Sequence, residues 1–253
     1  MCLTFRHDYG LEISEDDKMY TLMSGMTKRE RESLYRNMAQ IFDNDIAPYM
    51  TFIDKPDYFF TGDYFSAWKS QWDQYKEYLV GTFSKDLICV EAGTYEAMSA
   101  LYMLDNMVGE TGHLYTVDCF LLEHTKNICH YNIDLNPKKE QVTVIEGSSL
   151  TELPKLLDTL EEKVHFIYID AGKTAMDNIC NLAIAERLLA VNGMLVIDDY
   201  KWGEGKQVEP AKTPKPAVDY FMENSLLCET FQVGYQVAFV KRNTNRSLIL
   251  TNQ

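Results

Sequence analysis

Three aspartates and a lysine stand at the ends of two apolar runs. Residues 164–169 lead into Asp170-Ala171-Gly172-Lys173, and residues 194–197 lead into Asp198-Asp199-Tyr200-Lys201-Trp202. If the runs are neighbouring strands, three carboxylates converge at one sheet edge, where like charges raise one another's pKa unless a cation sits among them. A hard divalent ion such as Mg2+ takes oxygen ligands octahedrally and leaves positions for water or substrate, which makes Asp170, Asp198 and Asp199 the candidate metal ligands. Two adjacent hydroxyls of a substrate would fill those positions. Lys173 can accept a proton if burial or the cation depresses its pKa, so Lys173 and Asp170 are the candidate catalytic residues. Each acid alone is more simply a strand end that caps the next helix or is solvated; the chemistry rests on their meeting.

A second stretch, residues 86–100, reads Asp-Leu-Ile-Cys-Val-Glu-Ala-Gly-Thr-Tyr-Glu-Ala-Met-Ser-Ala. Residues 87–90 are continuously apolar, as in a parallel strand covered on both faces; the chain then stops at Glu91, turns at Gly93 and enters a helix at about Tyr95. Unpaired N–H groups in a first helical turn make such a corner a ligand site, and a glycine lets the ligand approach the main chain. A dinucleotide site wants G-x-G-x-x-G, but the second and third glycine places here hold Tyr95 and Met98, so a pyrophosphate would meet a tyrosine. S-adenosylmethionine (SAM) has no phosphate, and an acid at the strand end can serve its charged amino acid part. Residues 91–100 resemble the E-x-G-x-x-E-G-x-S-A form of motif I in class I SAM-dependent methyltransferases, with Ala97 in place of the usual glycine. The resemblance implies cofactor contacts at Glu91, Gly93, Tyr95 and Ser99. An ordinary strand-turn-helix corner is the plainer alternative.

The elements that must position these groups alternate. Strands are predicted at 114–118, 142–146, 165–170 and 194–198, with helices near 121–133, 151–160 and 174–190. This order means right-handed crossovers, a parallel sheet and ligands at the C-terminal strand ends. Thr151 would cap its helix and leave Pro154 in the first turn. Asp118 ends the second strand, where this topology faces the cofactor's ribose and a carboxylate can accept from both hydroxyls. Ser148 follows the third, where the resembled family holds adenine with backbone and small polar groups; Asp170 is counted as a cofactor contact as well. A helix over 214–224 and strands near 226–232 and 235–241, turning at Gly234, predict a closing antiparallel hairpin. The expected fold class is therefore α/β, a Rossmann-like methyltransferase with a mostly parallel seven-stranded sheet and helices on both faces.

Further segments sharpen the resemblance. Asp63-Tyr64-Phe65-Ser66 with Trp72 is similar to the D-W-F-S…W opening of a small-molecule methyltransferase family within class I. Pro214-Lys215-Pro216-Ala217-Val218-Asp219-Tyr220-Phe221, followed by Gly234-Tyr235-Gln236-Val237, resembles that family's tail. That family commonly has D-G-S-H, with His where Lys173 stands, which leaves room for catalysis without a metal. Asp170-Ala171-Gly172-Lys173 with Trp202 resembles the D-A-D-K and D-N…W pattern of catechol and caffeoyl-CoA O-methyltransferases, although Asp199 replaces the asparagine. Asp198-Asp199-Tyr200 resembles the D-D-Y of macrocin and related sugar O-methyltransferases.

Composition bounds the rest. With 253 residues, 46% hydrophobic and 25% charged, the chain reads as globular and soluble. A net charge of -14 repels phosphate backbones and argues against nucleic acid. The densest basic group, Lys28, Arg29 and Arg31, is interleaved with Glu30 and Glu32, as on a solvated helix face. The six cysteines show no metal-binding spacing and read as free thiols in a reducing compartment. No signal-like apolar region or membrane-length run is visible, so the cytoplasm is expected, with no membrane partner. The expected domains are an N-terminal helical extension over 1–60, a methyltransferase domain over 61–241 and a tail over 242–253. Within the extension, Thr27 and Glu30 form a capping box that opens a helix through about Asn44, either a cover for the site or a homodimer contact.

Together these readings imply a SAM-dependent, Mg2+-assisted O-methyltransferase acting on a hydroxyl of a small molecule. A sugar or glycan acceptor is favoured, a catechol-type phenol comes next, and the loop 201–213 would overhang the metal and shape that choice. A SAM-fold module that binds a partner without catalysis is the alternative from another class, and a nicotinamide-dependent reductase is a third.

Overall fold

The computed structural model describes residues 58–60 and 62–244. The expected N-terminal extension up to residue 57, with its helix at 27–44, and the tail beyond 244 lie outside the described residues. Asp63 accepts the N–H groups of Phe65 at 3.1 Å and Ser66 at 2.8 Å, a turn that launches the 3-10 segment Ser66–Trp68 and then helix α1 (Lys69–Phe83). Alternating elements follow: β1 (Ile88–Ala92), α2 (Met98–Asn106), β2 (His113–Asp118), α3 (Glu123–Leu135), β3 (Val142–Glu146), α4 (Ser149–Leu160), β4 (Val164–Ile169), α5 (Ala175–Leu188) and β5 (Leu189–Ile197). Helix α6 (Lys215–Asn224) leads to β6 (Cys228–Val233) and β7 (Val237–Lys241).

The strands form the expected seven-stranded sheet in the order β3-β2-β1-β4-β5-β7-β6. Strands β1 to β5 pair in parallel, and β7 runs antiparallel to both β5 and β6. Strand residues alternate between two cores. Cys89, Leu114, Phe166, Tyr168, Met194 and Val196 pack under α1, α2 and α3. Val90, Val117, Ile167, Ile169, Leu195 and Ile197 pack under α4, α5 and α6. Burying each such apolar side chain contributes about 1.5–3 kcal/mol, so these two cores carry much of the stability of the sheet. The chain winds outward from β1 to β3 and then returns to place β4 on the other side of β1. That reversal, outside the C-terminal ends of β1 and β4, is where folds of this topology take ligands, and the site residues stand at those strand ends.

Boundaries shift from the sequence reading by a few residues, and three of the shifts have a local cause. Helix α2 starts at Met98 rather than Tyr95, because Tyr95 (φ 50) and Ala97 (φ 70) adopt left-handed backbone that no helix continues through. Helix α4 is capped by Ser148, whose Oγ accepts the Leu150 N–H at 3.3 Å, so Pro154 lies inside the helix and not in its first turn. Strand β5 begins at Leu189, paired with Val164, and absorbs a register shift next to Asn192 (φ 66) and Gly193. Among the described residues no helix is long and apolar enough to cross a membrane.

Candidate active site

At the end of β1, Glu91 is fully buried and accepts hydrogen bonds from the hydroxyls of Ser99 and, at 2.7 Å, Thr116. Thr94 joins the same cluster through Thr116. Burial pushes the Glu91 carboxyl up to about 7, against the pull of the Ser99 and Thr116 hydroxyls, and Asp118 adds to the rise. Gly93 (φ +95) donates its N–H to Val117 at 2.8 Å, and Asp170 donates its own to Ala92 at 2.8 Å. A Cβ at Gly93 would collide with the backbone carbonyl of Asp170. The glycine is therefore required by the crossing of two chain segments, whatever a ligand needs there. Asp118 holds the turn from the other side, accepting from the Tyr95 N–H at 2.8 Å and the Phe120 N–H at 2.7 Å. Ser148 stands beyond it as the cap of α4, and Gly147 donates to the Asp118 carbonyl at 2.8 Å.

Strands β4 and β5 are neighbours in register, with Ile169 opposite Ile197 and the Asp198 N–H donated to the Ile169 carbonyl at 2.9 Å. The three acids therefore reach one edge, but they do not face one point. Asp198 accepts from the Tyr168 hydroxyl, from Gln236 Nε2 at 2.9 Å and from the Asp199 N–H at 2.6 Å. Gln236 in turn accepts from Trp72 Nε1 at 3.0 Å, which ties the acid to α1 through a buried chain of polar groups. Asp199, in left-handed backbone (φ 60), directs its carboxylate to Lys173. The Lys173 ammonium also holds Asp170, at 2.6 Å.

The donor set thus does not fit the divalent ion expected from Asp170, Asp198 and Asp199. A lysine nitrogen bridges two of the acids, the third is satisfied by a tyrosine and a glutamine, and Gly172 stands where the D-A-D-K pattern has its second acid. Among the described residues no three His, Cys, Asp or Glu side chains are grouped to hold a metal. The proton-acceptor role read for Lys173 needs correction on the same geometry. Burial alone would lower its pKa, but Asp170 and Asp199 outweigh burial and hold it above the ordinary lysine value, so the side chain stays an ammonium. Asp170 moves the other way: burial, with Asp198 and Asp199 alongside, pushes it up to about 7 against the pull of Lys173. Burial also raises Asp198, against its Tyr168 hydrogen bond. Lys173 thus serves Asp170 and Asp199, while Asp198 stands beside them with partners of its own.

Sequence reasoning assigned no role to Thr116, Tyr168, Tyr235 or Gln236. The last two fall in the tail segment that carries one of the resemblances, and only the antiparallel return of β7 beside β5 brings them to the acids. Tyr235 stacks on Trp68 with ring centroids 5.4 Å apart, and burial together with Asp199 raises its hydroxyl pKa. Tyr200, part of the D-D-Y resemblance, engages Asp219 at 2.7 Å and Lys215 at 2.6 Å on α6. The loop 201–213 leaves the cluster through a turn in which the Trp202 N–H meets the Asp199 carbonyl at 2.8 Å.

Residues 90–200 match a family described as "Methyltransferase domain". No curated protein matches the sequence. Among solved structures, a putative O-methyltransferase from Klebsiella pneumoniae is similar at 21% identity, covering 69% of this chain and 81% of its own, with a TM-score of 0.55. An O-methyltransferase from Bacillus cereus in complex with SAH is 17% identical over 89% of this chain and 96% of its own, with a TM-score of 0.55. A putative caffeoyl-CoA O-methyltransferase from Staphylococcus aureus is 15% identical over 84% and 99%, with a TM-score of 0.56. At these identities the likeness is one of fold.

Proposed function

We propose that this chain, which carries a methyltransferase domain in the class I SAM-dependent fold, transfers the methyl group of SAM to a hydroxyl oxygen of a small molecule. One observation carries the reading: the backbone of Asp170 lies against Gly93, so the glycine turn of motif I and the acid cluster meet at the reversal point of the sheet. A transfer needs donor and acceptor side by side, and this is where two such sites adjoin.

When bound, SAM supplies a methyl group on a positively charged sulfur; the acceptor oxygen takes that methyl, the S–CH3 bond breaks, and the hydroxyl proton must leave. Glu91 and Ser99 would serve the amino acid part, Asp118 the ribose, and Ser148 the adenine, with Gly93 and Tyr95 lining the turn between. An ionised Glu91 is disfavoured while buried with only hydroxyls around it, and a cationic ammonium beside it would favour that form. Asp170 is the proton acceptor in this reading, because a carboxyl near 7 is matched to that task at neutral pH, while the Lys173 ammonium holds it in place. The acceptor class proposed is a sugar hydroxyl, on the Asp198-Asp199-Tyr200 resemblance, with a phenol next. The divalent ion is not part of the proposal, for the reasons of geometry above.

Calorimetry with SAM comes first as a test. Binding is expected, and absence of heat at millimolar ligand would leave a partner-binding module instead. A methyl-donor assay on sugars, sugar nucleotides and phenols, with and without Mg2+, then identifies the acceptor.

A further inference from the structure

The place between Asp170 and Asp199 is filled by the chain's own side chain, and the local structure is built to keep it there. Lys173 sits in the turn between β4 and α5. Gly172 (φ +72) gives that turn left-handed backbone, and a Cβ at this position would come 2.8 Å from the Asp177 side chain. Two asparagines buried on α5 pin the turn's carbonyls: Asn178 donates to Gly172 at 3.1 Å and Asn181 to Ala171 at 3.2 Å. Thr174 completes the turn by capping α5, accepting from the Asp177 N–H at 3.1 Å. Held this way, Lys173 reaches back to Asp170 at 2.6 Å and across to Asp199. A long flexible side chain on an unconstrained loop would lose much of its pairing to rotamer entropy, and the pinned turn removes part of that cost.

On the proposed reading of this site, we infer that Lys173 is a tethered cation that takes the position of a divalent ion, so that the methyltransferase holds its acid cluster together without a metal. The ammonium supplies one positive charge between two strand-end acids, which a bound ion would otherwise supply, and its three N–H donors leave one for an acceptor oxygen after Asp170 and Asp199 are engaged. Asp198, satisfied by Tyr168 and Gln236, serves as a support for Asp199, whose N–H it accepts, and not as a third ligand.

The test is Mn2+ binding, followed by electron paramagnetic resonance and calorimetry on the full chain, with SAM binding measured on the same samples. The wild type is expected to bind no stoichiometric Mn2+ at millimolar concentration. Removing the ammonium in Lys173→Ala should open the place between the acids and bring in one Mn2+, an ion lost again in Lys173→Ala/Asp199→Asn. Lys173→Arg, which keeps the charge, should stay without it. Stoichiometric Mn2+ on the wild type that disappears in Asp199→Asn would overturn the inference, and so would a folded Lys173→Ala that gains no ion. Neither result depends on SAM, so a failure of SAM to bind would count against the proposed function alone.

Discussion

The carboxyl edge of the sheet has two halves built from different materials. At the β1 and β2 ends, the buried Glu91 is satisfied by neutral hydroxyls, and the turn beside it is held by a glycine packed on a carbonyl, two left-handed non-glycine residues and the Asp118 carboxylate. At the β4 and β5 ends, three acids are held by a lysine, a tyrosine and a glutamine. The first half is specified by shape and the second by charge. Shape is unforgiving of an added atom but insensitive to salt, whereas charge tolerates volume changes and responds to pH. The two halves should therefore fail in different ways.

The largest effect is expected where they touch. Gly93→Ala places a methyl group on the Asp170 carbonyl, which belongs to backbone already fixed by the Asp170 N–H to Ala92. Neither segment can give way, and the loss in denaturant-measured stability should exceed about 3 kcal/mol. Gly62→Ala is the control. Its Cβ would come 2.8 Å from the ring of Tyr64, but that side chain is 58% exposed and can move, so a cost below about 1 kcal/mol is expected. Equal costs would mean that crowding at Gly93 is relieved elsewhere and that the halves are less tightly joined than the geometry says.

The shape-built half still contains acids, and pH should find Glu91. The folded Glu91 carboxyl lies near 7 against an ordinary 4.5, so between those values the folded chain binds more protons than the unfolded one. Stability must fall as pH rises through that window, by at most about 3 kcal/mol from this group. Asp170 contributes in the same direction. Glu91→Gln removes the Glu91 share while keeping a carbonyl for Ser99, so the difference between unfolding free energies at pH 5 and pH 8 should shrink by about 2 kcal/mol. An unchanged slope would show that Glu91 is ionised in the apo chain and has a partner of its own.

How much of this was legible in the sequence follows the same division. The strands are readable because each is a short apolar run ending in a polar turn, and the alternation with helices makes the sheet parallel. The meeting of Asp170 with Asp199 is readable only on the condition that their strands are neighbours, which the sheet order supplies. What each acid points at is not. Gln236 approaches Asp198 only because β7 folds back beside β5, a contact between residues far apart in the chain. The bridging of Lys173 depends on Gly172, Asn178 and Asn181, which read separately as a turn glycine and two polar helix residues. The start of α2 is not readable, because nothing in the residue types of Tyr95 and Ala97 announces left-handed backbone.

In the charge-built half, Lys173→Met keeps most of the volume and removes the cation. Asp170 and Asp199 then face each other with no counter-charge, and breaking such a pair would be severe if it were fully buried. Here the Lys173 and Asp170 side chains are 30% and 35% exposed, so solvent screens the loss and about 1–2 kcal/mol is expected. With the ammonium gone, Asp170 holds its proton more strongly in the folded state, so the cost should be larger at pH 8 than at pH 5. A cost independent of pH would mean that Lys173 acts through its packing alone.

The smallest effect separates strain from packing in the shape-built half. Ala97 occupies left-handed backbone (φ 70, ψ 21) at the position where motif I usually has glycine, and it is fully buried. Replacing it with glycine relieves roughly 1–2 kcal/mol of backbone strain. The lost methyl returns up to about 0.8 kcal/mol of that gain, and the greater freedom of glycine in the unfolded chain returns a further share of about 0.4–1 kcal/mol. The balance should favour Ala97→Gly by a few tenths of a kcal/mol, a small rise in midpoint on thermal unfolding. A fall would mean that the methyl group's contacts between α2 and the sheet outweigh the strain. In that case the alanine helps to set how the turn presents its N–H groups, and a weaker heat of SAM binding in the same variant would register the change where the two halves meet.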